Sequence, residues 1–497
     1  MLTSTPVPCL VDGVSFATNT TFDVVDPHNA SKVLHRVCSV STKEEVDKII
    51  ESSQSAFLRW KNTSIDERKA IFTRFIQLLE ENADALIQTS VNETTASPPL
   101  ATVDLKILGL DNLRSSISEL SDALADRPLP QQTNGEHATI HRQPYGVIFA
   151  MTPWNMPIVL GIRSFTLPIL AGNTVIMKTS EYSPQTHYML SEILHRAGIP
   201  NGVLNVIHIR QQDAPQVVED IISRRQVKKV NFTGSSRVGR IIAQVCGKHL
   251  KPSLLELGGK APVIVLSDAN LPKATSSILW GAFCHSGQIC MSTEKVVVHH
   301  SVHKQLEQLI KEKLDDGKII AAADGALFRG LFCHESANRF RGLIVDAINL
   351  GAKIVGGSFD ANNTSNVVHP LVLTNVNPSM RIYYEETFGP VCIIIPFGQN
   401  RDSQELEDSE ALDIANDTAY GLSASIYTSN HERGKALALE IDAGQVHVNG
   451  NTIHDVGTMP HGGWKESGWG RFNGAEGIKE WAQTKTITVN EPAQYPI

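Results

Sequence analysis

Short apolar runs alternate with amphipathic segments through the middle of the chain, and this alternation restricts the possible folds more than any other feature of the sequence. The runs with strand character are 146–151, 174–177, 203–207, 227–232 and 262–266. Between two of them, Ser183 can cap a helix, Pro184 suits its first position and Gly198 suits its end. Because alternating strands and helices form a parallel sheet covered on both faces, the pattern predicts an α/β fold.

Further patterns flank this region. Thr42 and Glu45 have the spacing of a capping box, and apolar residues repeat at helical spacing over 71–79. A second series of α/β signals covers roughly residues 260–460. Its strand-like runs include 352–355, 391–397 and 445–449. Since a chain of 497 residues is longer than a domain with a single hydrophobic core usually is, we expect two or three domains. The first parallel sheet predicts a nucleotide-binding architecture, although the G-x-G-x-x-G fingerprint is absent.

The charge and hydropathy of the chain narrow the class of partner. Lys and Arg number 44 and Asp and Glu number 52, which gives a net charge of −8 without a long basic run. This balance favours neither nucleic acid nor an anionic membrane surface. No run approaches the roughly 18 apolar residues of a membrane-spanning helix. We therefore expect a cytoplasmic protein whose partner is a small molecule.

The cysteines are odd in number and scattered. They occupy positions 9, 38, 246, 284, 290, 333 and 392, without C-x-x-C spacing. This pattern indicates neither a disulfide framework nor a zinc site, so no metal is expected. Reduced thiols fit a reducing compartment, and a cysteine nucleophile requires one.

Two glycine-flanked motifs carry a candidate nucleophile and a candidate base. Cys290 ends the run Phe-Cys-His-Ser-Gly-Gln-Ile-Cys, and Glu256 opens Glu-Leu-Gly-Gly-Lys. Glycine lets backbone or a bound molecule approach both groups closely. Together with Pro-Trp-Asn at 153–155 and Glu-Glu-Thr-Phe-Gly-Pro at 385–390, these motifs resemble the aldehyde dehydrogenase superfamily. The resemblance runs from about residue 20 to the C-terminus and keeps the family's order of motifs.

The resemblance implies covalent catalysis by Cys290. An aldehyde carbon bears no oxyanion to expel hydride, so a thiolate adds first and forms a thiohemiacetal; loss of hydride to nicotinamide leaves a thioester, which water hydrolyses. Glu256 matches the general base, a role that suits a partly desolvated carboxylate with a raised pKa. The Asn155 amide and the Cys290 backbone N–H would hold the oxyanion. The ordinary alternatives are an inert buried cysteine, a solvated glutamate and an asparagine that caps the next helix.

The resemblance also implies NAD as the cofactor. Lys178 and Glu181 follow the strand at 174–177, where α/β sheets bind ligands, and the family places such residues at the adenosine ribose. A carboxylate at Glu181 would repel a 2′-phosphate, which favours NAD over NADP. The N–H groups at a helix start after Ser235 suit a pyrophosphate. The implied cofactor residues are Thr152, Trp154, Lys178, Glu181, Gly234, Ser235, Glu386 and Phe388.

The implied substrate pocket is unusually polar. Val159 and Arg163 lie one and two helical turns beyond Asn155, on the helix that lines the family's substrate tunnel. Arg163, Cys284 and His461 stand where many relatives carry apolar or aromatic residues. The Gln-Ile-Cys-Met-Ser-Thr motif is most similar to the salicylaldehyde and vanillin dehydrogenase branch, so we expect an aromatic or hydroxylated aldehyde. Arg163 is expected to donate hydrogen bonds to the substrate; a surface ion pair is the ordinary alternative.

By the same resemblance, residues 1–124 and 145–257 form a Rossmann-like NAD-binding domain and residues 258–460 an α/β catalytic domain. Residues 125–144 and 475–497 form a small β arm, in which a strand near 137–143 pairs with one near 484–489. This arm is expected to join the chain into a homodimer or homotetramer.

The expected reaction is NAD-dependent oxidation of an aldehyde by water to a carboxylic acid. One alternative is a CoA-acylating or phosphorylating enzyme, in which CoA or phosphate replaces water. Another is a catalytically silent relative that serves as a structural or binding protein. The presence of Glu256 favours hydrolysis, and the intact set of Cys290, Glu256 and Asn155 argues against a silent relative.

Overall fold

The structure is a computed structural model that describes residues 5–130, 137–315, 329–399 and 401–490. The predicted arm is therefore described without residues 131–136 and 491–497. The strands are β1 (Cys9–Val11), β2 (Val14–Phe16), β3 (Thr20–Asp26), β4 (Asn29–Ser39), β5 (Arg127–Pro128), β6 (His137–Pro144), β7 (Val147–Met151), β8 (Thr174–Lys178), β9 (Leu204–Ile207), β10 (Val227–Thr233), β11 (Ser253–Glu256), β12 (Ala261–Val265), β13 (Thr293–His299), β14 (Lys353–Gly357), β15 (Leu371–Thr374), β16 (Val391–Phe397), β17 (Tyr420–Gly421), β18 (Ser423–Tyr427), β19 (Gln445–Val448), β20 (Trp464–Lys465), β21 (Gly468–Trp469) and β22 (Ala482–Val489).

Helices fill the intervals between these strands. They are α1 (Lys43–Trp60), α2 (Ile65–Glu81), α3 (Ala83–Glu93), α4 (Pro98–Thr102), α5 (Leu110–Leu124), α6 (Pro157–Leu170), α7 (Pro184–Arg196), α8 (Ala214–Ser223), α9 (Ser236–Lys248), α10 (Leu271–Phe283), α11 (His300–Asp315), α12 (His334–Asn349), α13 (Arg381–Tyr384), α14 (Gln404–Asn416), α15 (His431–Leu439) and α16 (Gly474–Lys479). A π-helical segment spans Val103–Gly109, and a 3-10 turn spans Cys284–Gly287.

The first sheet has the strand order β2-β1-β9-β8-β7-β10-β11-β21. Strands β9, β8, β7, β10 and β11 run parallel, and the outer strands β1, β2 and β21 pair antiparallel. Separate apolar clusters pack on its two faces, as a parallel sheet with helices on both sides requires. The four runs predicted between 146 and 232 are β7 to β10, which confirms the α/β fold. The edge strand β21 was not predicted, because two residues carry no readable periodicity.

The second sheet has the order β14-β15-β16-β13-β12-β18-β19, with only β14 antiparallel to its neighbour. The predicted runs at 262–266, 391–397 and 445–449 correspond to β12, β16 and β19. The central strand β13 was missed in the sequence. Its residues are all buried, yet Glu294 and Lys295 interrupt its apolar pattern and hide it.

The N-termini of α1 and α7 are capped in different ways. Thr42 and Glu45 form the predicted capping box of α1, with reciprocal hydrogen bonds of 3.2 and 2.9 Å. Helix α7 begins at Pro184 as predicted, but the Ser183 hydroxyl makes no capping bond. The Glu93 carboxylate accepts the free N–H groups of α7 instead, at 2.8 to 2.9 Å. A charged acceptor from a distant helix therefore replaces the local cap.

The predicted arm strands pair with each other. Strand β22 runs antiparallel to β6, and β6 also pairs with β5, which gives a three-stranded sheet. Most of β22 is exposed, including Ile487 and Val489. None of the described helices is long and apolar enough to cross a membrane.

Candidate active site

Three parallel strands of the first sheet end at one place and position the candidate site. Strands β7, β10 and β11 are adjacent. Met151 of β7 pairs with Phe232 of β10, and Thr233 of β10 pairs with Glu256 of β11. Trp154 and Asn155 follow β7, and α9 follows β10. Glu256 is the last residue of β11. The carboxyl ends of parallel strands are the ligand-binding edge of such sheets.

Cys290 reaches this edge from the chain segment that precedes β13 of the second sheet. His285 and Ser286 have left-handed φ values of 54° and 56°, and Gly287 follows at 72°. A side chain at Gly287 would place its Cβ 2.2 Å from the Gly389 carbonyl oxygen, so only glycine fits. The Asn155 amide nitrogen donates to the Gln288 carbonyl at 3.0 Å. This bond ties the β7 segment to the Cys290 segment.

The Cys290 thiol lies beside the Glu256 carboxylate, with Sγ 3.9 Å from Oε1. Desolvation raises the pKa of the Cys290 thiol well above its ordinary value, and the Glu256 and Glu386 carboxylates add to this effect. The Arg163 guanidinium opposes it. The resting thiol is therefore neutral, and Glu256 is the nearby group that can take its proton.

The pKa of Glu256 moves in the direction opposite to the sequence prediction. Burial alone would raise it, but contact with His461 and the nearby Arg163 guanidinium outweighs burial and leaves the pKa below its ordinary value. The Glu256 Oε1 atom lies 2.9 Å from His461 Nε2, and Oε2 lies 3.8 Å from an Arg163 terminal nitrogen. The carboxylate is thus buried and ionised.

Arg163 is neither a surface residue nor free to bind a substrate with all its donors. It is 4% exposed, and its guanidinium forms an ion pair with the buried Asp455 carboxylate. Phe472 packs against the same guanidinium, 5.6 Å from ring centroid to Cζ. The sequence prediction that Arg163 donates hydrogen bonds to the substrate did not include Asp455, whose neighbours in the sequence give no signal of the pairing.

His461, a predicted pocket residue, lies outside the linings of the two cavities that border Cys290. Its side chain lies behind Glu256 and is fully buried. The His461 Nδ1 atom faces Gln445 Oε1 at 3.2 Å. Backbone hydrogen bonds to Phe472 in both directions, at 2.7 and 2.8 Å, fix the residue as an isolated β-bridge. His461 therefore contacts the candidate base, Glu256.

Two cavities meet at the candidate nucleophile. One, named here the α6 cavity, has a volume of about 280 Å³ and the other, the α9 cavity, about 550 Å³. Four residues line both cavities: Asn155, Leu160, Glu256 and Cys290. A molecule in either cavity can therefore reach the thiol.

The α6 cavity lies beside α6 and the Cys284–Gly287 turn. Val159, Arg163 and Cys284, all predicted pocket residues, line it. Burial raises the pKa of the Cys284 thiol to about 12, so it is no rival nucleophile. The remaining apolar lining includes Leu100, Val103, Leu108, Met156, Trp280, Ile289 and Ile453. Ser97, His285, Asn451 and His454 add polar groups to the lining beside the shared site and the Arg163–Asp455 pair. The cavity therefore suits a mainly apolar molecule that carries a polar group.

The α9 cavity brings together five of the predicted cofactor residues. They are Trp154, Gly234, Ser235, Glu386 and Phe388. Ser235 caps α9, its hydroxyl accepting from the Val238 N–H at 3.4 Å, and Arg237 and Arg240 of the first helical turns also line the cavity. The two arginines were not predicted. A cavity at the start of a helix, with two guanidinium groups beside it, suits a phosphate-bearing ligand.

Three predicted cofactor residues lie beyond the α9 cavity. Thr152 donates through its backbone N–H to the Lys178 carbonyl at 3.2 Å, so both lie at the ends of the neighbouring strands β7 and β8. The Lys178 Nζ lies 3.4 Å from Glu181 Oε2. These residues extend the same sheet edge away from Cys290.

Glu386 and Phe388 are held by a buried ion pair that the sequence did not reveal. The Glu294 carboxylate accepts from the Thr387 and Phe388 backbone N–H groups at 2.9 and 3.2 Å and pairs with Lys260 Nζ at 2.6 Å. Desolvation, with a contribution from Glu294, raises the pKa of Glu386 to about 7. Its Oε1 accepts from the Gly259 N–H at 2.9 Å.

The helix that lines the α6 cavity has a cap that was also missed. Asp104 is fully buried and accepts from the Ile158 and Val159 backbone N–H groups at 3.0 and 2.8 Å. Burial raises the pKa of Asp104 to about 7. Asn155 therefore does not cap α6, and one N–H of its amide remains available beside Cys290.

Comparison with known proteins identifies the family to which this chain is similar. The sequence model of the aldehyde dehydrogenase family matches residues 14–487. A vanillin dehydrogenase from Pseudomonas sp. strain HR199 is 37% identical over 99% of both chains. The crystal structure of a salicylaldehyde dehydrogenase from Pseudomonas putida G7 complexed with salicylaldehyde has a TM-score of 0.92 and 32% identity, covering 99% of this chain and 100% of that one.

A betaine aldehyde dehydrogenase from Staphylococcus aureus, crystallised in complex with NAD+, has a TM-score of 0.87 and 25% identity, covering 98% of this chain and 95% of that one. These matches extend over nearly the full length of the relatives, and they agree with the motif order around Cys290 and Glu256. The chain belongs to the aldehyde dehydrogenase family.

Proposed function

We propose that this protein oxidises aromatic aldehydes to carboxylic acids, with NAD as the hydride acceptor and water as the second substrate. The observation that carries the proposal is the meeting of two cavities at Cys290, Glu256 and Asn155. An aldehyde and a dinucleotide can approach the same thiol from opposite sides. The vanillin and salicylaldehyde dehydrogenases among the relatives support the aromatic class of substrate.

The size of the α6 cavity suits a small ring. At about 280 Å³ it lies just below the range of about 300 to 1,000 Å³ that holds drug-sized ligands. Its apolar lining favours a ring, and the carbonyl would point to the shared residues around Cys290. The Arg163–Asp455 pair supplies polar atoms that a ring hydroxyl could contact.

The first chemical step needs a thiolate. Glu256 Oε1, 3.9 Å from Sγ, can accept the thiol proton, and the sulfur then attacks the aldehyde carbon to form a thiohemiacetal on Cys290. One N–H of the Asn155 amide is used on Gln288, and its second N–H can donate to the oxyanion together with the Cys290 backbone N–H. Loss of hydride leaves a thioester on Cys290. Once Glu256 has released the thiol proton to solvent, it can take a proton from the water that hydrolyses the thioester.

The residues of the α9 cavity fit a dinucleotide. A Cβ on Gly258 would lie 2.4 Å from the Glu386 carboxylate, so glycine there leaves the cavity open around Glu386. The chemistry that NAD supplies when bound is acceptance of a hydride from the substrate carbon. We assign the start of α9 with Gly234 and Ser235 to the pyrophosphate. The nicotinamide and adenosine ends would be held by Glu386 and Phe388, and by Lys178 and Glu181, respectively.

Following NADH absorbance over a panel of aldehydes tests this proposal. Benzaldehydes with hydroxyl or methoxy groups should give higher kcat/KM than short alkyl aldehydes, with the acid as product. Addition of CoA or phosphate should leave the rate unchanged, whereas an acylating enzyme would require one of them. Failure of every aldehyde to reduce NAD would overturn the proposal in favour of a silent relative.

We further propose that the exposed sheet of β5, β6 and β22 joins subunits into a homodimer or homotetramer. Exposed Ile487 and Val489 on an outer strand support this, because such edges tend to be covered by another chain. Sedimentation velocity tests this proposal, because it measures the mass of the assembly in solution.

A cytoplasmic location stays a prediction, supported by seven cysteines that are all unpaired.

A further inference from the structure

We propose that His461 and Glu256 form a proton-sharing pair, in which His461 positions the base toward Cys290 and keeps it ionised. The proposal concerns the site of the proposed aldehyde oxidation and deepens that function. His461 touches neither cavity, so it is a positioning residue that acts through Glu256. The pair brings together residues 205 positions apart in the chain.

Hydrogen bonding at the imidazole determines where its protons lie. The Gln445 amide nitrogen donates to the Pro460 carbonyl at 3.3 Å, so Gln445 Oε1 faces His461. An amide oxygen only accepts, and His461 Nδ1 must therefore carry a proton. His461 Nε2 lies 2.9 Å from a carboxylate oxygen of Glu256. A second proton must lie between these two atoms, on Nε2 or on Oε1, for this contact to be a hydrogen bond.

The surrounding charges require the same proton. Buried Glu256 and Asp455 contribute two carboxylates, and Arg163 contributes one guanidinium, paired with Asp455 and 3.8 Å from Glu256. An imidazolium at His461 balances the remaining negative charge. Without it, one carboxylate would be buried without a compensating cation, an arrangement that strongly destabilises proteins.

The other titratable groups near the pair do not supply that positive charge. Burial lowers the pKa of His447 to about 4, so His447 is neutral at physiological pH. The Cys290 thiol is neutral, and Glu386 beyond it contributes only negative charge. His454 lines the α6 cavity, and it lowers the pKa of Asp455 less than Arg163 does. His461 is thus the group placed to hold the compensating proton.

The pair has a consequence for the geometry of the base. Oε1 of Glu256 contacts both His461 Nε2 and Cys290 Sγ, at 2.9 and 3.9 Å. Rotation of the carboxylate away from Cys290 would break the bond to His461. His461 in turn cannot follow, because Gln445 and the backbone bridge to Phe472 hold it.

The substitution His461→Phe tests the proposal, since it keeps a ring in the space and removes the proton. A cation within about 4 to 6 Å lowers the pKa of a carboxylate by about 1 to 3 units. The acid limb of the kcat profile should therefore move to higher pH by about one unit or more in His461→Phe. The aldehyde KM should change less than about two-fold, because His461 does not reach the α6 cavity. An unmoved limb overturns the proposal.

Alkylation of Cys290 by iodoacetamide supplies a readout that needs no turnover. Its rate against pH, followed by mass spectrometry of the Cys290 peptide, should also move to higher pH in His461→Phe. If aldehydes prove not to be substrates, this displacement still appears and supports the pair while the proposed function fails. An alkylation profile identical to wild type overturns the pair whatever the substrate.

Two further variants guard against misfolding and control for charge. His461→Gln keeps a donor without a titratable proton, and its limb should also move; a profile that matches wild type overturns proton sharing. His299→Phe removes another buried histidine beside a carboxylate, 3.3 Å from Glu407, in the second sheet away from both cavities. Its pH profile should match wild type. A displacement in His299→Phe equal to that in His461→Phe would overturn the assignment to Glu256.

Discussion

The Sγ atom of Cys290 and the Oε1 atom of Glu256 lie 3.9 Å apart, and both residues line the α6 cavity and the α9 cavity. Glu256 is therefore placed to activate the thiol as well as to activate water. Both tasks need the ionised form, which the neighbouring His461 and Arg163 favour by lowering the pKa of Glu256.

Replacement of the nucleophile gives the simplest prediction. Cys290→Ser should abolish NADH formation while NAD binding stays nearly intact, because a hydroxyl has a far higher pKa than a thiol and yields almost no nucleophile at neutral pH. Absorbance at saturating aldehyde and a fluorescence titration with NADH measure the two effects. Substantial turnover by the serine variant would contradict the covalent mechanism.

Glu256→Gln should separate the two tasks of the base. We expect a loss of about 10² to 10⁴ in steady-state rate, with a larger fraction of the first-turnover burst retained, if Glu256 acts mainly on the water that hydrolyses the thioester. Stopped-flow measurement of NADH gives both values. If the burst disappears as completely as the steady state, the main task of Glu256 is activation of Cys290.

Arg163→Leu should lower activity toward all aldehydes and destabilise the fold. The substitution leaves Asp455 and Glu256 buried without the guanidinium, and breaking a buried ion pair costs about 3 to 5 kcal/mol. Urea unfolding measures the stability. The double variant Arg163→Leu with Asp455→Leu should recover part of the loss, since it removes both charges. A loss confined to hydroxylated aromatic aldehydes would restore the direct role in substrate binding that the sequence predicted.

Cofactor preference should depend on Glu181. Glu181→Gln removes a charge that would repel a 2′-phosphate, so the NADP/NAD ratio of kcat/KM should rise by about ten-fold, equivalent to about 1.4 kcal/mol. Glu192→Gln, an exposed glutamate on α7, is the matched control and should leave the ratio unchanged. An unchanged ratio in Glu181→Gln would mean that the ribose is recognised elsewhere.

NAD affinity should depend on pH through Glu386. Its pKa is raised to about 7, so the side chain is mostly neutral at pH 6 and mostly ionised at pH 8. An ionised carboxylate accepts hydrogen bonds from ribose hydroxyls more strongly, and affinity should rise roughly five-fold or more over that interval. Calorimetric titration at both pH values measures this. The rise should vanish in Glu386→Gln, and its persistence there would assign it to another group.

Much of the fold and the core of the site could be predicted from the sequence. The runs that became β7 to β10 are read from local apolar patterns, and the capping box of α1 needs only two residues three positions apart. Cys290, Glu256 and Asn155 stand in short motifs whose spacing is visible without coordinates. Strand β13 was not predicted because its buried polar residues, Glu294 and Lys295, interrupt the apolar pattern. Both are stabilised by hydrogen bonds to residues from other parts of the fold.

Only the tertiary structure decided the electrostatics of the site. Asp455 forms an ion pair with Arg163, and His461 contacts Glu256, which lies 205 residues away in the chain. Neither contact can be predicted from the local sequence. The direction of a pKa shift depends on the balance between burial and nearby charges, and both arise from distant segments packed together. For Glu256 the charges outweigh the burial, which is why a carboxylate expected to have a raised pKa has a lowered one.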